Sequence, residues 1–176
     1  RNIELNNMAG IIEPSTLALS DHEGEMNFYS VSNTKYPNIP NLGGVGSLLQ
    51  QSTNRDVIKV KLTTLDEFVH THNMKVIDLI KLDTEGTEDQ VLRGAAEVIR
   101  THQPIIICET LFNRIEAKIE AEMIQHGYHF YNHKDGHLHR VATLARKEDN
   151  GVRDCFMVHP SKEEWIAEFW KMEDRR

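Results

Sequence analysis

Residues 79–95 read LIKLDTEGTEDQVLRGA, and this stretch decides the fold. An apolar, strand-like run ends at Asp83, and Thr84-Glu85-Gly86 leads into a helix start. Thr87 and Gln90 have the spacing of a capping box, and Glu88 and Asp89 complement the positive helix end. Val91, Leu92, Ala95, Val98 and Ile99 form one apolar stripe, which predicts a helix over residues 87–102 packed on a sheet. The next segment, PIIICE at 104–109, is a nearly continuous apolar run and predicts a second strand. Neither the cap nor the stripe requires Asp83 or Glu85. In open α/β sheets, ligands bind beyond the carboxyl ends of the strands, where Asp83 and Glu109 both fall. A single acidic residue after a strand usually serves a local turn. Asp83, Glu85 and Glu109 on two neighbouring strand ends instead predict a polar ligand site in one crevice.

Working outward, residues 2–8 read as the end of a helix stopped by Gly10. STLALS at 15–20 alternates like a strand, Asp21-His22-Glu23-Gly24 turns, and EMNFYSV at 25–31 returns. Residues 33–46 (NTKYPNIPNLGGVG) predict a long, functional loop. VIKVKLTT at 57–64 alternates cleanly, and Thr64 caps a short helix. Beyond residue 109, NRIEAKIEAEMIQHG predicts a helix ending at Gly127. YHFYNH and RDCFMVHP are the final strands, separated by a polar stretch over 134–151. SKEEWIAEFWKM predicts a docked terminal helix, with Ser161 and Glu164 in capping-box spacing and an apolar side of Trp165, Ile166, Phe169 and Trp170. Strands alternating with helices imply one α/β domain over residues 1–176 with a mainly parallel sheet.

A chain of 176 residues, 39% hydrophobic and 27% charged, suits a soluble globular domain. Its net charge of -7 excludes broad binding to nucleic acid phosphates. No run approaches the ~20 apolar residues that span a bilayer. Cys108 and Cys155 lack the close spacing of a metal or redox motif, and a reduced, cytoplasmic protein is the simplest reading. His126, His129, His133, His137 and His139 cluster in sequence without any Cys-x-x-Cys. They predict a solvated hairpin, and no metal site is assigned.

The 79–95 stretch followed by PIIICE resembles the signature of FkbM-family methyltransferases: Asp-x-Glu-Gly-x-Glu after a strand, then Leu-x-Gly-Ala and a strand ending in Glu. ALSD at 18–21 and VKLTTLDEF at 60–68 are similar to that family's pattern as well. The resemblance implies a Rossmann-like class I fold that binds S-adenosylmethionine and methylates a hydroxyl of a small molecule or sugar. It further implies cofactor contacts at Ser20, Asp21 and Asp83, and catalytic roles among Asp83, Glu85 and Glu109.

In that family a glycine-rich turn and a ribose-binding acid precede the segment resembling residues 2–7, so the fold is expected to be N-terminally incomplete in this chain. Gly43-Gly44-Val45-Gly46 does not replace the turn. The chain alone is then expected to bind the cofactor weakly or not at all, and to be inactive as a fragment. Two further readings compete: a noncatalytic binding or assembly module, and a hydrolase using magnesium or manganese on the same carboxylates. The strand ending in Asp83 would also carry an apolar edge. That edge predicts coverage by a homo-oligomer, or by residues 15–62 folding back.

Overall fold

The computed structural model describes residues 2–31, 55–110 and 112–169; the loop expected over 33–46 and Trp170 lie outside them. After a short helix α1 (Asn2–Leu5), three strands form one sheet: β1 (Ala18–Leu19), β2 (Gly24–Val31) and β3 (Arg55–Thr63), in the order β1-β3-β2. Helix α2 (Leu65–Thr71) follows, and Thr64 Oγ1 accepts from Glu67 N as its spacing predicts.

The second sheet has the order β4-β5-β8-β6-β7. Its strands are β4 (Leu79–Leu82), β5 (Ile105–Glu109), β6 (His129–Lys134), β7 (His137–Val141) and β8 (Asp154–Val158). Helices α3 (Glu88–Arg93) and α4 (Ala96–His102) link β4 to β5, and α5 (Glu116–Ile124) leads to β6.

The expectation of a mainly parallel sheet needs correction. Among the described residues only β1 with β3 and β4 with β5 pair in parallel; the β2·β3, β5·β8, β6·β7 and β6·β8 pairs are antiparallel. The helical crossover of residues 88–102 enforces a parallel return, whereas the two-residue connection of β6 to β7 reverses the chain. The hairpin expected at the clustered histidines is the β6–β7 pair, and β7 adds a strand within the stretch read as polar. Asp135 and Gly136 both take positive φ, 52° and 77°, the conformation of a two-residue hairpin turn.

Period-2 alternation divides the apolar residues of the second sheet between two faces. Ile106, Cys108, Phe130, Cys155 and Met157 join Leu92, Ile119 and Met123 in the main core under the helices. Ile105, Tyr131, Leu138 and Val158 face the other way and meet Ile166 of a 3-10 helix at Pro160–Phe169. This 3-10 segment replaces the predicted terminal α-helix. Ser161 does not act as its cap: its hydroxyl donates to Gln103 Oε1 at 2.8 Å. Ile166 docks, while Trp165 and Phe169 stay exposed. Among the described residues, no helix is long and apolar enough to cross a membrane.

The predicted 87–102 helix is broken at Gly94-Ala95, for a reason residing in a different helix. Asp66 of α2 donates its backbone N–H to Gly94 O, and its carboxylate accepts from Glu97 N and Val98 N at 3.0 and 2.9 Å. Asp66 thereby takes the carbonyl and amide that would continue the helix, and it caps α4, whose own N-cap residue, Ala95, has no side-chain acceptor. Gly94 sits at this joint because a Cβ there would lie 2.1 Å from Ser20 O. The first sheet is thus locked against the linking helices by backbone contact.

Candidate active site

The parallel register pairs Leu82 with Cys108, so Asp83 and Glu109 follow at matching positions on adjacent strand ends. The turn after β4 then winds back: Glu85 takes φ 58° and Gly86 φ 111°. A positive φ at glutamate is costly, and here buried hydrogen bonds hold it. Glu88, 2% exposed, accepts from Thr84 N at 2.9 Å and from Gly86 N at 3.1 Å. This replaces the predicted capping box. Thr87 Oγ1 is buried with no hydrogen-bond partner among the described residues, and Gln90 turns toward Ser20 Oγ.

The wound turn brings Asp83, Glu85 and Glu109 together. One carboxylate oxygen from each lies within 4.8 Å of the others. Lys81 offers the nearby positive charge, its Nζ 4.0 Å from Asp83 and 3.2 Å from Asp154, the register partner of Glu109. Three carboxylates at this spacing repel one another, and the cost falls on the partly buried Glu109. Burial first, then the charges of Asp83 and Glu85, push its carboxyl above the ordinary glutamate range. Such an arrangement can hold a shared proton, a cation or a positively charged ligand.

The loop that leaves Glu109 is fixed by a buried ion pair invisible to sequence spacing. Arg146 pairs with Glu116, both nearly inaccessible, and also donates to Thr110 O and Val152 O. Glu116 accepts in turn from Asn113 N at 2.7 Å.

Ser20 and Asp21 lie at the joint beside α3, outside the carboxylate cluster. Ser20 is buried, and Asp21 Oδ2 accepts from Arg93 Nε at 3.2 Å while Oδ1 meets His22 Nδ1 at 2.7 Å. The hydrogen bond with His22, and then that with Arg93, hold the Asp21 carboxyl below its usual range against the opposing effect of burial. Arg93 also binds Asp89 at 3.0 Å and Glu122 at 3.2 Å, so one guanidinium ties the Ser20–Asp21 segment to α3 and α5. Sequence analysis assigns Arg93 no role, because two of its partners, Asp21 and Glu122, lie far along the chain. The clustered histidines do not converge. His129 pairs with Glu163, and the His133 ring lies tilted against Phe156. The acidic triad is the one group with metal-ligating spacing among the described residues.

Residues 1–130 match the family model described as the methyltransferase FkbM domain. Comparison with curated proteins and with solved structures gives no match.

Proposed function

Given that the chain belongs to the FkbM methyltransferase domain family, we propose that it is an S-adenosylmethionine-dependent O-methyltransferase acting on a hydroxyl of a small molecule or sugar. The observation that carries this reading is the convergence of Asp83, Glu85 and Glu109 at two adjacent strand ends. When bound, S-adenosylmethionine supplies an electrophilic methyl group on a positively charged sulfur. Three carboxylates only partly offset by Lys81 and Arg153 suit that charge. Asp83 and Glu85 would hold the cationic end. Ser20 and Asp21 would hold the adenosine end, with Asp21 kept ionised by His22 and Arg93 and still one-third exposed.

Glu109 is the group we assign to the acceptor hydroxyl. Burial and the neighbouring carboxylates raise its proton affinity, which suits a proton acceptor, and its partial burial leaves an oxygen to orient the hydroxyl. Asp83, by hydrogen bonding to Glu109, positions that carboxyl. The second reading, a divalent-cation-dependent hydrolase, rests on the same cluster.

Transfer of labelled methyl from S-adenosylmethionine to a panel of hydroxylated sugars and small molecules, with and without a chelator, separates the readings. The experiment uses the chain with whatever flanks it in its natural gene product. Methyl transfer that is indifferent to chelator and falls about a hundredfold in Glu109→Gln is the expected result. Chelator-sensitive hydrolysis without transfer favours the hydrolase, and inertness in every arm favours a binding module.

A further inference from the structure

Cys108 and Cys155 stand directly opposite each other in the β5·β8 ladder, both free and both 0% exposed. Two links further along the chain, Thr110 N donates to Arg153 O. Hydrogen-bonded and non-hydrogen-bonded pairs alternate along an antiparallel ladder, so 110 with 153 and 108 with 155 are both of the hydrogen-bonded kind. Such pairs have Cα atoms about 5.5 Å apart, within the separation that disulfides most often span. Their Cβ atoms lie about 4.5–5.5 Å apart, roughly 1 Å wider than a relaxed disulfide. A bond formed here is strained, and strained disulfides are the readily reduced ones.

We propose that Cys108 and Cys155 are a reversible oxidation site, closing to a cross-strand disulfide under peroxide and reopening under thiols. In the closing reaction one thiolate attacks an oxygen of hydrogen peroxide, giving a sulfenic acid and hydroxide. The second thiolate then displaces hydroxide from the sulfenic sulfur. Two S–H bonds and one O–O bond are lost, one S–S bond forms, and the peroxide leaves as two waters. The contact with Cys155 and then burial hold the Cys108 thiol well above its ordinary range, so closure waits on local opening of the ladder. The next pair outward is Glu109 with Asp154, so closure strains the strand end that carries the candidate base. The inference does not depend on the methyltransferase reading.

The test exposes the full chain to hydrogen peroxide, then maps its peptides without reduction and counts thiols in denaturant. A cross-linked peptide pair carrying Cys108 and Cys155, loss of two thiols per chain, and full recovery with dithiothreitol are expected. Cys155→Ala and Cys155→Ser should give no cross-link, leaving a Cys108 sulfenic acid that dimedone traps. Should either variant fail to fold, the wild-type map and its reversal suffice to decide. Sulfenic or sulfinic acid without a cross-link in the wild type, chain-to-chain disulfides, or two intact thiols after a control peptide thiol in the same tube is consumed would each overturn the proposal.

Discussion

Gly94 has no room for a methyl group, since an added Cβ would sit 2.1 Å from the carbonyl oxygen of Ser20. The obstacle is backbone, so it cannot rotate away. Gly94→Ala is predicted to cost about 3 kcal/mol in urea unfolding, the upper end for overpacking a tight site; a loss under about 0.5 kcal/mol would show that the joint yields. Glu109 supports a prediction with a definite sign. Its folded-state pKa is raised above the ordinary value of 4.5. Below 4.5 both states are protonated and no penalty exists. Between 4.5 and the folded value the native state keeps a proton that the unfolded chain has released, so stability falls as pH rises. Above the folded value the penalty stays constant. Glu109→Gln should therefore gain stability relative to wild type between pH 4 and 7 in a urea series, and a difference that is flat or reversed with pH would contradict the assignment. At this scale the acidic residues were legible because carboxylates after apolar strands stand out. Arg93, Glu88 and Arg146 were not, since their partners lie far along the chain or depend on a positive φ at Glu85.

Helices α3 and α4 show how an element's limits can be set from outside it. The apolar stripe of residues 91–99 reads as one continuous helix, and all five stripe residues are indeed buried. What local sequence could not reveal is that Asp66 inserts at Gly94 and Val98. Asp66→Ala is predicted to cost about 1–2 kcal/mol, as the loss of a helix cap does, and Asp66→Asn less. Thermal unfolding of the two variants checks this, and equal stabilities for wild type and Asp66→Ala would refute a capping role. The terminal segment carries the same lesson. Ser161 and Glu164 have capping-box spacing, but Gln103 takes the Ser161 hydroxyl and the segment winds as a 3-10 helix. Spacing proposes a cap; competing partners decide it.

Across the whole molecule, β4 forms one edge of the five-stranded sheet, and no strand covers it among the described residues. Folding back of residues 15–62 onto that edge is not seen in their described part, because β1, β2 and β3 pair with one another instead. Leu79 and Val76 are 55% and 64% exposed beside it. We propose that a second chain pairs there, because an apolar edge with unpaired backbone groups invites association. The chain alone should sediment as a dimer at micromolar concentration, and Leu79→Lys should shift it to monomer; a wild-type monomer would rule this out. The crossover between β4 and β5 was legible from the strand-helix-strand rhythm. The antiparallel remainder was less so, because a strand's direction is set by its connection and not by its own residues.

The central claim is that the strand-end carboxylates receive S-adenosylmethionine, and Asp83 is the place to test it. Its side chain is 53% exposed, so Asp83→Asn removes a charge without disturbing the core. Calorimetric titration of S-adenosylmethionine into the natural gene product should show saturable binding, weakened about tenfold in Asp83→Asn at unchanged melting temperature, a difference of about 1.4 kcal/mol. Equal affinity in the two proteins, or no binding by the wild type, would contradict the account.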